Sequence, residues 1–146
     1  MIYKEEQGDL FAVKGYYFAH CISADFALGA GIAVDFSFRF NMRDKLIKGN
    51  PEYLKLYTKE QRKGDCILVD NVFNLITKAR CFNKPTLESM ELALLKMKEI
   101  CEKENIVKIA MPRIGAGLDR LAWSDVSMLI HKVFEDTDME IVVRYL

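Results

Sequence analysis

The chain has 146 residues, 51% of them hydrophobic and 29% charged, which is the length and balance of one globular domain able to bury a core. Lysine plus arginine and aspartate plus glutamate each total 21, for zero net charge, so no global field draws the protein to nucleic acid or to an anionic membrane. The N-terminal MIYKEEQGDL lacks the apolar segment of a secretory signal, and the most apolar stretch, FALGAGIAVDFSFRF, is interrupted by Asp35 and Arg39 and cannot span a bilayer.

In chain order, Ile2 to Gln7 reads as a first strand that ends at Gly8-Asp9. Tyr16 to Ile22 is compact and aromatic, the pattern of a buried strand. From Gly31 to about Met42, Ile32, Phe36 and Phe40 fall on one helical face, with Val34, Phe38 and Arg39 elsewhere. Asp44 to Tyr57 reads as short helical pieces around Pro51. Cys66 to Val69 and Val72 to Thr77 are two strands joined at Asp70-Asn71, a hairpin spacing. Thr86 to Asn105 is the clearest helix, with Leu87, Met90, Leu94, Met97 and Cys101 on one face and Thr86 as N-cap after Pro85. Val107 to Met111 is a short strand. Trp123 to Phe134 is a second amphipathic helix with Val126, Leu129, Ile130 and Val133 inward, and Met139 to Tyr145 closes the chain as a strand. Alternating strands and helices with one hairpin imply an α/β domain, a mixed sheet between helical layers.

Ligands in such sheets sit at the carboxyl ends of strands. Four polar or glycine-rich segments fall at such ends: Gly8-Asp9, His20 to Gly31, Lys78, and Pro112 to Arg120. They are expected to converge on one cleft. Two of them contain Gly-Ala-Gly, in LGAGIAV (Leu28–Val34) and IGAGLDR (Ile114–Arg120). A Gly-x-Gly loop that opens a helix exposes amide N–H groups at the positive end of the helix dipole, where phosphates bind. A dinucleotide fingerprint needs a third glycine, yet Val34 and Arg120 stand at those positions, and no P-loop occurs. The loops can still hold a diphosphate through backbone amides alone. Cys21, Cys66, Cys81 and Cys101 are scattered, with no Cys-x-x-Cys. With only His20 and His131 beside them, they support neither a zinc site nor a disulfide framework. Reduced cysteines in the cytoplasm, or the nucleus, are expected, with no metal and no cofactor.

GDLF (Gly8–Phe11), HCIS (His20–Ser23), LGAGIA (Leu28–Ala33), ITK (Ile76–Lys78), KPT (Lys84–Thr86), MPRIGAGLDRLAW (Met111–Trp123) and the terminal Tyr145-Leu146 occur in this order. Together they resemble the macrodomain family, and within it the subgroup of the terminal ADP-ribose protein glycohydrolase. The resemblance covers nearly the whole chain and implies one macrodomain over residues 1–146, a three-layer α/β/α fold acting as a monomer on ADP-ribose. Leu28 stands where that subgroup often has Met, and Ala116 where it can have Cys; both contribute mainly backbone. The Asn-rich loop of other macrodomain subgroups is absent near HCISAD.

The resemblance implies roles residue by residue. Asp9 would accept from the adenine amino group, beside the Leu10 backbone. His20 and Ser23 would line the cleft. Gly29, Ala30, Gly31 and Ile32 would wrap one side of the diphosphate and distal ribose, and Pro112, Arg113, Ile114, Gly115, Ala116, Gly117 and Leu118 the other. Thr77 would border the ligand and Leu146 would close against it. Lys78 matches the nucleophile, attacking the anomeric carbon and displacing the carboxylate of a modified Glu or Asp; Asp119 matches the second catalytic residue. Each has a plainer reading: Lys78 as a solvated lysine, Asp9 and Asp119 as loop caps, His20 as a core histidine. An ammonium has no lone pair, so part of the lysine must be neutral to act. A carboxylate beside it opposes that, so Asp119 is expected to face the ribose more than Lys78 at rest. The expected partners are mono-ADP-ribosylated protein, with O-acyl-ADP-ribose as a further ester substrate. Alternatives are ADP-ribosylated thymidine in DNA, a non-catalytic reader of ADP-ribose, and a phosphatase on ADP-ribose 1″-phosphate, for which no nucleophile can be assigned. The basic stretch Lys45, Lys48, Lys55, Lys59, Arg62 and Lys63 reads as a solvated face, with a partner surface as the alternative.

Overall fold

The computed structural model describes residues 1–56 and 63–146. Its sheet has six strands in the order β1-β6-β5-β2-β4-β3, where β1 is Ile2–Gln7, β2 Tyr17–Ser23, β3 Asp65–Val69, β4 Val72–Lys78, β5 Lys108–Met111 and β6 Glu140–Tyr145. Neighbours run parallel except at the β3–β4 hairpin, which is antiparallel and turns at Asp70-Asn71. The strands start and stop within about a residue of where alternation and turn chemistry place them.

Helices α1 (Ile32–Phe40), α2 (Met42–Gly49) and α3 (Pro51–Leu56) cover one face of the sheet; α4 (Leu87–Glu104) and α5 (Trp123–Phe134) cover the other. The first core packs Phe36, Met42, Leu46 and Tyr53 onto Phe18, Ile22, Val72 and Ile76. The second packs Met90, Leu94, Met97, Val126 and Ile130 onto Ala19, Phe73, Leu75, Ile109 and Ile141. Successive strand residues such as Phe18 and Ala19 enter opposite cores, as the two-residue period of a doubly covered sheet requires. The three-layer α/β/α architecture follows.

Two local expectations change. The helix after Gly31 does not run on to Met42: Asn41 adopts a left-handed conformation (φ 54) and serves as both the C-cap of α1 and the N-cap of α2, a role asparagine tolerates better than most residues. Leu87 is not on the inward face of α4 but 38% exposed. In that turn Ser89 points inward, because its hydroxyl completes the capping box with Thr86 and donates to the Thr77 carbonyl at 2.7 Å. Of the basic stretch, Lys45 pairs with Asp70 at 2.6 Å in an exposed contact, and Lys48, Lys55 and Lys63 are exposed; Lys59, Arg62 and the end of the helical pieces at Tyr57 lie outside the described residues.

His20 does not line a cleft. It is fully buried, stacked on Phe36 with ring centroids 4.0 Å apart. The strand register sets it opposite Asn74. Its Nε2 lies 2.6 Å from Asn74 Oδ1, while Asn74 Nδ2 donates to the Ile67 carbonyl at 3.1 Å. Because the Asn oxygen can only accept, Nε2 carries the proton and Nδ1 is left bare. Burial lowers the His20 pKa to about 4, with the Asn74 bond opposing weakly. Below about pH 6.5 the unfolded chain takes up a proton here that the folded chain refuses. Stability attributable to His20 is therefore complete above pH 6.5 and is lost by ~3 kcal/mol as the pH falls to 4. Denaturant midpoints of wild type and His20→Gln across this range are expected to converge as the pH drops; parallel curves would disprove the linkage.

Candidate active site

The five parallel strands bring their carboxyl ends to one edge of the sheet. There, the loops after β2, β4 and β5 enclose a cleft of about 810 Å³. Its walls are residues 21–23 and 28–33 on one side, Lys78 and 81–84 at one end, and 112–115 with 117–120 on the other side. The segment after β1, Gly8-Asp9, ends on the same edge but does not line this cleft. A second pocket of about 380 Å³, between Phe11, Tyr16, Arg39 and Phe40, holds no acid–base pair.

Lys78 ends β4. Where the register between β2 and β4 shifts, Ser23 becomes its partner, and Ala24 N–H donates to the Lys78 carbonyl at 2.9 Å. The Lys78 Nζ lies 2.7 Å from Asp119 Oδ1, and the two side chains are only 15% and 19% exposed. The resting arrangement is thus a lysine–aspartate pair on the cleft wall, whereas the sequence sets the expectation that Asp119 faces the ribose more than Lys78 at rest. Cys21 also borders the cleft. Burial pushes its thiol well above its ordinary range, with the Asp119 carboxylate adding to the effect, so it stays protonated and does not compete as a nucleophile.

The two glycine loops are built differently. Gly31 (φ 61) is the N-cap of α1 and supplies no capping side chain; Val34 N–H closes the first turn onto the Gly31 carbonyl at 3.2 Å, and the Ile32 and Ala33 amides before it face the positive end of the dipole, where an anion binds. A Cβ there would sit 3.4 Å from Leu118. The second loop does not open a helix, since α5 begins only at Trp123. It is a run of turns closed by Leu121 N–H to the Gly115 carbonyl at 2.7 Å. Gly115 has φ +72, and a Cβ there would meet Met90 Cε at 2.7 Å.

Two carboxylates hold these loops, and neither was singled out from the sequence. Asp25 accepts from Ser23 Oγ at 2.5 Å, from Ala27 N–H at 3.2 Å and, across 56 residues, from Cys81 N–H at 3.0 Å. It ties the first glycine loop to the segment that follows Lys78. Between Asp25 and Gly29, Phe26 (φ 53) and Leu28 (φ 43) are left-handed, a strain of order 1–2 kcal/mol each that surrounding contacts must hold. Burial of the Phe26 ring and a 3.0 Å bond from Arg43 Nε to its carbonyl do so. Glu5, on β1, accepts from Trp123 Nε1 at 3.0 Å and lies 3.6 Å from Arg113 Nε. It thus grips both ends of the second loop. The Arg113 guanidinium lies over the Tyr145 ring at 4.0 Å. Asp25 follows HCIS after one residue and precedes a glycine loop, which is a turn signal; nothing local marks Glu5.

Of the remaining site candidates, Ser23, Gly29, Ala30, Gly31, Ile32, Pro112, Arg113, Ile114, Gly115, Gly117 and Leu118 line the cleft with Lys78 and Asp119. Asp9 caps a single helical turn at Leu10–Ala12, its Oδ1 accepting from Phe11 N–H at 3.0 Å. Leu10 is buried, Thr77 is buried beside Lys78, Ala116 is half-buried and Leu146 is 96% exposed. The cleft also gains Cys81, Phe82, Asn83, Lys84 and Arg120. Among the described residues no cluster of three His, Cys, Asp or Glu side chains could hold a metal ion, and no helix is long and apolar enough to cross a membrane.

The fold is shared with the macrodomain of Mycobacterium tuberculosis DarG (TM-score 0.82, 22% identity, 99% of this chain and 98% of that one). It is shared too with Thermosipho africanus DarTG, solved with ADP-ribose (TM-score 0.76, 19% identity, 98% of this chain and 41% of that one). No family model matches. Over 142 residues the chain is 40% identical to the Homo sapiens ADP-ribose glycohydrolase OARD1, covering 94% of this chain and 87% of the human protein. The chain belongs to the macrodomain family. Within it, this macrodomain is of the terminal ADP-ribose protein glycohydrolase type, and the Bos taurus OARD1 is 39% identical over the same span.

Asp25 is the testable strut of this macrodomain's cleft. Asp25→Ala is expected to lower unfolding stability by roughly 1–3 kcal/mol and to speed amide exchange at Ala27 and Cys81, read by denaturation and hydrogen exchange. Unchanged protection at both amides would refute the strut.

Proposed function

We propose that this macrodomain is an ADP-ribose hydrolase that removes mono-ADP-ribose from modified Glu and Asp side chains and also deacylates O-acyl-ADP-ribose. The observation that carries this reading is the Lys78–Asp119 pair at 2.7 Å on the wall of the cleft between the two glycine loops. A reader of ADP-ribose needs the loops but has no use for a half-buried nucleophile–base pair. The α1 N-terminus and the turn amides supply donors for a diphosphate from two sides. The OARD1 relatives are named ADP-ribose glycohydrolases, which supports the same chemistry.

The nearby carboxylate favours the charged ammonium at rest, yet it serves the reaction when Asp119 is the proton acceptor. Asp119 takes a proton from the Lys78 ammonium, leaving a neutral amine. Its lone pair attacks the anomeric carbon of the distal ribose. The N–C bond forms, the C–O bond to the acyl oxygen breaks, and the electron pair leaves on the freed Glu or Asp carboxylate. Water then attacks the same carbon, and the C–N bond returns its pair to nitrogen. The lysine regains its proton from Asp119, and the surplus proton of the water goes to solvent. The broken ester is labile, so positioning and one proton relay suffice.

Release of ADP-ribose from a glutamate-modified protein, from O-acetyl-ADP-ribose and from a thymidine-modified oligonucleotide tests this. Asp119→Asn is expected to slow release by about 10²–10⁴-fold, and Lys78→Ala by more, with ADP-ribose binding retained by calorimetry in both. Tight binding without release by the wild type would leave a reader. Release from the oligonucleotide alone would replace the protein substrate with DNA.

A further inference from the structure

The reacting end of the cleft carries apolar surface that ADP-ribose chemistry does not require. Phe82 is 74% exposed and Leu118 71% exposed, and both line the same cleft as Lys78 and Asp119. Phe82 stands on a built turn rather than a loose loop. Asn83 Oδ1 accepts from Arg80 N–H at 3.0 Å, and Asn83 N–H donates back to the Arg80 carbonyl at 2.9 Å. The turn is fixed at one end by β4 and at the other by the Thr86 capping box of α4. The Arg80 guanidinium lies over the Phe82 ring at 5.9 Å, yet most of the ring stays in water, on the wall of the cleft that holds the reactive pair.

The charges of the cleft are uneven. Lys78 and Asp119 neutralise each other, and Arg113 is engaged with Glu5 and Tyr145. That leaves Lys84 and Arg120, both exposed and, among the described residues, paired with no carboxylate. The side chains that line this part of the cleft wall are therefore one aromatic ring and two cations, with the Asp25 carboxylate behind them at the Cys81 amide.

We infer that Phe82, flanked by Lys84 and Arg120, is a specificity-determining residue that docks the polypeptide around the modified side chain, favouring segments that place an apolar residue and further acidic residues beside the ADP-ribosylated Glu or Asp. The inference rests on the hydrolase reading above. A nucleic-acid strand fits less well: strands are tracked by rows of cations with successive stacking platforms, whereas this rim offers one ring and two cations on a chain of zero net charge. The small ester O-acetyl-ADP-ribose carries no polypeptide to set against the rim.

The test compares wild type, Phe82→Ser and Phe82→Tyr on four substrates. These are O-acetyl-ADP-ribose, a glutamate-modified peptide with acidic and apolar neighbours, the same peptide with lysine and glycine neighbours, and a thymidine-modified oligonucleotide. Wild type is expected to prefer the acidic–apolar peptide. Phe82→Ser is expected to lower kcat/KM on that peptide about tenfold more than on the small ester, through KM, while Phe82→Tyr retains the peptide rate. An equal fall on ester and peptide would mean that Phe82 only shapes the turn. No fall on the peptide, or a fall confined to the oligonucleotide, would also overturn the inference. A wild type inactive on every substrate would sink the hydrolase reading itself, and this inference with it.

Discussion

The cleft is organised around one short ion pair. Lys78 and Asp119 arrive from different strands, one ending β4 and the other in the loop after β5, and meet at 2.7 Å with little exposure. Neither charge could stay so far out of water alone. The pair therefore fixes the distance between the two loops, and the sheet must deliver both loop origins to the same edge. Parallel pairing of β2 with β4 and with β5 does that. The capping box of α4, through Ser89 and the Thr77 carbonyl, anchors the residue before Lys78.

Most of the architecture is legible in the residues because local signals agree with the global fold. Alternation finds the strands, Asp70-Asn71 finds the hairpin, and Thr86 after Pro85 finds the start of α4. The failures have specific causes. Helical periodicity runs through Asn41 without registering that an asparagine can turn the chain left-handed between two helices. His20 sits in a motif next to Ser23, but strand alternation turns it into the core, where Asn74 and Phe36 hold it. The same alternation leaves Cys21, one residue on, facing the cleft. Asp119 is expected at the ribose more than at Lys78 when only its holding of the amine in the charged form is weighed, without the cost of leaving either group half-buried and unpaired.

The residues that escape a sequence reading act at long range. Glu5 reaches Trp123 across 118 positions, and Asp25 reaches the Cys81 amide across 56. Each is one carboxylate among many, distinguished only by what the sheet order places next to it. The glycine motifs look alike on paper yet solve different problems. One frees a helix terminus; the other lets a chain of turns pass close beneath Met90 and Leu121. Similar spelling here reflects a shared need for backbone without side chains, not a shared conformation.

The left-handed backbone at Phe26 and Leu28 has a kinetic consequence. The loop that leads to Gly31 is shaped during folding, with its strain balanced by Asp25, Arg43 and the Phe26 ring. Its amides wait in place before any anion arrives. Capture of an anion then needs no closure of this loop. The ordering entropy that a mobile loop would lose on binding has already been spent in the fold, so residence time is governed by how fast the ligand breaks its own contacts.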